Sequence, residues 1–159
     1  MILTFVRAVA LGCLTFTTIA LAHEGATGVV KERMDLMKGQ QDAMKLIGEM
    51  AKGKTPFDAA KASAAAREIE TTAKQIHKLF PEGSDGGPSE ALPAIWGQWD
   101  RFSGDADDLA EVAGALVNSF DGSTHDDWKA EFKRVTNACK SCHQDFRKKK
   151  KRKKGGGHH

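Results

Sequence analysis

The chain contains no tyrosine, only three cysteines and only four prolines in 159 residues. Three cysteines cannot build the disulfide framework of a small secreted fold. Four prolines and 16 glycines are too few for a loop-rich scaffold. No stretch alternates polar and apolar residues with β-branched enrichment over strand length, so a sheet is not expected. Collagen and wholesale disorder are excluded as well, because 40% of the residues are hydrophobic and 28% are charged.

The one long apolar run lies at the start. Met1–Leu21 carries a single cation, Arg7, before the run Ala8–Leu21, and Ala20-Leu21-Ala22 is a small-x-small cleavage site followed by the polar His23-Glu24. The run falls short of the roughly 20 residues that a spanning helix needs. Residues 1–22 are therefore expected to be a signal peptide, removed on export to the periplasm. Cleavage takes away Cys13 and leaves Cys139 and Cys142. In an oxidising compartment two such thiols are expected to be bridged, bound to metal or covalently occupied.

Charge divides the remainder. Residues 147–154 are eight consecutive cations, whereas residues 23–146 hold fifteen basic against twenty-one acidic residues, a net of −6. An acidic body repels phosphate, so nucleic acid is not expected as a partner. The tail, residues 147–159, is expected to be a solvated extension of the last helix. Its charge suits an anionic membrane surface or an acidic redox partner.

Residues 23–146 carry four amphipathic segments. The first spans about Gly28 to Ala51, with Val30, Met34, Met37, Met44, Gly48 and Ala51 on one stripe. The second opens near Pro56-Phe57-Asp58 and is expected to reach Phe80 through Ala62, Ala66, Ile69, Ala73 and Ile76. The third spans about Pro93 to Ser119, with Ile95, Trp99, Phe102, Ala106, Leu109, Ala113, Leu116 and Phe120 inward and Gly104 a candidate break. The fourth opens with the variant capping box Thr124-x-x-Asp127 and continues through Trp128, Phe132, Val135, Cys139, Cys142 and Phe146. Spacings of three and four sustained over several turns give one apolar seam per helix. The expected fold is all-α, an antiparallel four-helix bundle running up-down-up-down. Pro81–Leu92 is a polar loop within it.

Cys139-Lys140-Ser141-Cys142-His143 is the attachment signature for c-type haem. Two thiols add to the haem vinyl groups as thioethers, and the adjacent histidine offers an imidazole nitrogen to iron. At about 100° per residue the three groups fall within a 100° arc of one helix. Zinc would need four ligands, but no second cysteine pair exists and His23, His77 and His125 are scattered. A thioredoxin-like pair belongs at a helix N-terminus after a strand, not about four turns into a helix. A bare structural disulfide is the remaining alternative. One covalent haem c explains the pattern best, and export supports it independently.

A haem motif near the C-terminal end, after a four-helix pattern, resembles the class II c-type cytochromes, the cytochrome c prime family. The block Asn137 to Arg147 is similar to that family's C-K-x-C-H-x-x-aromatic-Arg segment. Val30-Lys31-Glu32-Arg33-x-x-x-Met37 is similar to its first-helix pattern, and Lys52–Asp58 and Pro93–Trp96 to its inter-helix punctuation. The resemblance implies thioether bonds at Cys139 and Cys142 and His143 as the proximal ligand. It places Arg33 at the haem edge near the propionates, Arg147 beside the proximal imidazole and Met37 on the distal face. Without the family, Arg33 reads as a surface cation and Met37 as one of several methionines in a core stripe. The tract Arg33–Lys38 looks closer to the low-spin branch, in which a Met thioether coordinates iron. That branch implies a one-electron carrier rather than an enzyme, working with redox partner proteins. The high-spin alternative is a five-coordinate protein that binds nitric oxide or carbon monoxide. Members occur as monomers and as homodimers.

Overall fold

A computed structural model describes residues 25–120 and 127–149. The signal segment, Thr124 of the capping box and the tail beyond Lys149 lie outside the described residues. Five α-helices follow in order: α1 Gly28–Ala51, α2 Ala59–Ala73, the single turn α3 Ala94–Gly97, α4 Trp99–Ser119 and α5 Asp127–Phe146. A 3-10 turn, Ile76–Leu79, follows α2. The only strand-like pairing among the described residues is an isolated antiparallel bridge between Ala91 and Arg147.

The four long helices form the expected antiparallel bundle. The start of α1 lies by the end of the α2 segment, where the Arg33 guanidinium sits 4.7 Å from the centre of the Phe80 ring. The α2 segment in turn meets the start of α4 through Phe80 and Phe102, 4.8 Å apart. The start of α4 meets the end of α5 through Phe102 and Phe146, 5.4 Å apart. At the other end Phe57, Phe120 and Trp128 form a second aromatic cluster, with Phe57 stacked on Trp128 at 5.0 Å. Between the ends Ile47, Ile69, Leu116 and Val135 are fully buried.

Local chemistry explains the α1–α2 turn. Gly53 takes φ +67°, a conformation that costs glycine nothing. It lets Gly53 N donate to Met50 O and Lys54 N to Glu49 O, the paired bonds of a Schellman stop. Asp58 then caps α2 by accepting from Lys61 N at 3.0 Å.

Three expectations about helix extent and phase need correction. The second helix does not reach Phe80 as α-helix. Thr72 Oγ1 bonds back to Glu68 O at 2.7 Å, and the turn after Ala73 tightens to i+3 bonds ahead of Pro81. Its stripe survives, and all six residues from Ala62 to Phe80 are buried. The third helix is interrupted at Gln98 (φ −133°, ψ 44°), not at Gly104. That break keeps Ile95 and Phe102 inward but turns Trp99 out, leaving it 38% exposed. On α1 the buried line is Arg33, Gln40, Ala43, Ile47, Gly48 and Met50, about one position from the expected stripe. The cause is that α1 packs chiefly on α2 and only lightly on α5. Met34, Met37 and Met44 thus stay half-buried on the α5 side.

Candidate functional site

The motif lies on the last turns of α5. Along α5 Val135 and Phe146 are fully covered, whereas Cys139 and Cys142 are half-buried and His143 is exposed. The two thiols are not bridged to each other. Burial raises the pKa of Cys139. It raises that of Cys142 to about 12, with the nearby carboxylates of Asp105 and Asp145 adding to the effect. Both therefore stand as neutral thiols. That does not suit a redox couple, whose nucleophile is the thiolate. It does suit S–H addition to an alkene. Among the described residues no cluster of His, Cys, Asp and Glu could hold a bare metal ion.

Met37 on α1 and His143 on α5 share a height in the bundle. The two helices run antiparallel and meet where Gly48 admits the Phe132 ring; a Cβ at Gly48 would stand 3.5 Å from Phe132 Cζ. Eleven residues back from Gly48 is Met37, and eleven residues on from Phe132 is His143. Each count is about 16 Å of rise and three turns, within about 20° of the starting face. The thioether and the imidazole thus come to the same height on facing helices. The chemistry of this set (two neutral thiols one turn apart, an adjacent imidazole and a thioether at the same height) fits haem c.

Although the residue as a whole is exposed, the imidazole of His143 is pushed to a lower pKa, first by desolvation on the side the bundle covers, then by Arg147, with Glu90 opposing. A neutral imidazole is the form that bonds a metal. Arg147 is not the start of a free tail. The helix ends at Phe146, and Arg147 Nε donates to Glu90 Oε2 at 2.7 Å while the main chain pairs with residues 90–92.

Arg33 is not a surface cation. It is 4% exposed. Its Nη1 donates to Ser84 Oγ at 2.9 Å, and Nη2 donates to Ser89 Oγ at 2.5 Å and to Ser84 O. Burial lowers its pKa, and Asp85 partly opposes the shift. The polar loop supplied what a helical stripe on α1 could not show. Ser84, Ser89 and Glu90 carry no periodicity, so nothing in their spacing marks them. Asp105 was missed too. It precedes the inward Ala106, its Oδ2 is buried without a partner, and burial raises its pKa.

Comparison with known proteins agrees with this donor set. The family model described as cytochrome c' matches residues 28–147. A cytochrome c-556 of Agrobacterium fabrum is 34% identical over 145 residues, covering 91% of this chain and 94% of that protein. The solved cytochrome c' of Rhodopseudomonas palustris superposes with a TM-score of 0.74 at 35% identity, over 79% of this chain and all of that one. A nitric oxide complex of a cytochrome c prime variant from Alcaligenes xylosoxidans superposes at 0.69 and 27% identity, over 76% and 94%. With its thiols, imidazole and bundle in the arrangement such proteins use to carry covalently attached haem c, the chain belongs to the cytochrome c' family.

Proposed function

We propose that the chain is an exported periplasmic one-electron carrier whose haem iron lies between His143 and Met37, and that it transforms no substrate. The shared height of these two residues supports the reading. Bound haem c supplies a single redox-active iron. Cys139 and Cys142 would tether it to α5, and His143 and Met37 would offer its iron an imidazole nitrogen and a thioether sulfur. Arg33 would supply positive charge for the propionates, and Arg147 would stand beside the proximal imidazole. Val135, Phe102 and Phe146 exclude water, and thioether ligation with apolar burial raises the potential relative to bare haem. Redox partner proteins would meet the exposed side of the motif, and the basic tail would draw the protein to anionic surfaces. A homodimer belongs to the same proposal.

The high-spin alternative has more support from likeness than the first reading, because the solved structures reported above are cytochromes c', one with nitric oxide bound. In that reading Met37 guards an open position where nitric oxide or carbon monoxide binds. Ferric optical spectra and carbon monoxide binding decide between the two. Methionine ligation gives a charge-transfer band at the red edge and slow binding that speeds up in Met37→Ala. Rapid binding by the wild type, with no such band, overturns the carrier reading in favour of the gas-binding one.

A further inference from the structure

Residues 84–92 cross the motif end of the bundle as a strap, and the strap is zipped to the end of α5. Lys148 N donates to Glu90 O at 2.8 Å and Leu92 N to Phe146 O at 3.0 Å, with Ala91 opposite Arg147. The strap thereby satisfies one of the carbonyls that the last turn of a helix leaves without a donor. Within this clasp Glu90 Oε2 accepts from Arg147 Nε at 2.7 Å and stands 2.5 Å from Nη2. The neighbouring cation is otherwise engaged, since Lys148 Nζ donates to Ser89 O at 3.0 Å and to Asp85 O at 3.4 Å. Arg147 follows His143 by four residues, immediately past the helix end at Phe146. The Arg147 guanidinium and the Glu90 carboxylate thus stand as an opposite-charge pair where the chain leaves the motif helix.

We propose that Glu90 is a positioning residue for the proximal side of the haem site: it fixes the Arg147 guanidinium in the clasp and cancels the positive charge beside His143. The proposal rests on His143 being the iron ligand. A closed ion pair exerts little net field at a distance, whereas half a pair exerts a full charge. An uncompensated cation beside the imidazole favours iron in its less positive, ferrous form. It also weakens the imidazole as a donor. Both effects raise the reduction potential, and an uncompensated carboxylate lowers it. The side chains of both partners are 41% exposed, so salt screens part of the effect.

The test is a spectroscopic redox titration of the haem-loaded protein at low and high salt, with thermal unfolding alongside. Glu90→Gln is expected to raise the midpoint potential and Arg147→Gln to lower it. The double variant should return towards wild type, and every shift should shrink at high salt. Glu90→Asp keeps the charge and should stay closer to wild type than Glu90→Gln. A clasp with a purely structural role would move both single variants in the same direction and lower their unfolding temperatures. That result, or an unshifted Glu90→Gln, overturns the proposal. If the wild type made in a host competent for haem attachment has no Soret absorbance, the haem reading itself fails. That outcome is distinct from an unshifted potential in loaded protein.

Discussion

The two ends of the bundle are closed by different materials. At the α1–α2 turn the closure is apolar: Phe57, Phe120 and Trp128 pack together beside Met50. At the motif end a buried arginine, two serines and a Glu90–Arg147 pair bind the strap to α1 and α5. Burying charge costs free energy, and burying rings returns it. A polar closure is therefore retained where it does something an apolar one cannot, here beside His143, the imidazole proposed to hold iron.

The largest expected effect separates the ends completely. Replacing both Cys139 and Cys142 with alanine removes the thioether positions and leaves the turn end untouched. Protein made in a haem-attaching host should then lose its covalent haem entirely, read as a denatured mass equal to polypeptide alone. Retention of the haem mass in that variant would rule out the attachment site assigned above.

Stability separates the ends next. Ile47→Ala, in the apolar core away from the motif end, should cost about 2–5 kcal/mol through lost burial and the cavity left behind. Its optical spectrum should not change, because Ile47 lies far from His143 along the bundle. Arg33→Ala leaves the oxygens of Ser84 and Ser89 without their donor, at about 2–4 kcal/mol for a buried charge-assisted set. Unlike Ile47→Ala, it should also disturb the haem spectrum, since the strap it releases holds Arg147. Urea unfolding of loaded protein, followed by both Soret absorbance and far-ultraviolet dichroism, reads the two variants together. Equal spectral effects from both would mean that the strap does not reach the site.

What the sequence made legible follows the same division. On α2 the stripe from Ala62 to Phe80 was readable to the last residue, because one period and one apolar surface dictate it. The turn was readable as well, from Gly53, Pro56 and Asp58, each of which has a specific backbone task. Cys139, Cys142 and His143 announced themselves by chemistry that no packing role requires. Arg33 could not be read, because a cation on a helix is normally solvated and its acceptors lie some fifty residues further on. Trp99 was misplaced for a related reason. The break at Gln98 changes the helical phase, and a glutamine carries no signal of such a break. On α1 the methionine stripe was offset because the helix has two unlike neighbours, and a single-seam pattern assumes one.

The smallest effects sharpen the contrast through two aspartates with shifts of opposite sign. Asp58 at the turn end has its pKa lowered, first by the Lys61 backbone N–H and then by the Lys61 side chain. Its charged form is preferred in the fold, so its contribution is full above the ordinary carboxylate range. The contribution is lost as pH falls through the lowered value. Asp105 at the motif end has its pKa raised by burial, which Arg101 only partly offsets. Its ionisation therefore costs stability above the raised value, and the cost disappears as pH falls below the ordinary range. Asp58→Asn should accordingly be less stable than wild type near neutrality, and Asp105→Asn more stable. Both differences should close as pH falls through the carboxylate range, that of Asp105 at higher pH than that of Asp58. Urea midpoints of the three proteins across that range check this directly. If the two variants deviate from wild type with the same sign near neutrality, burial at Asp105 is not strong enough to oppose ionisation, and the polar end is better solvated than its geometry indicates.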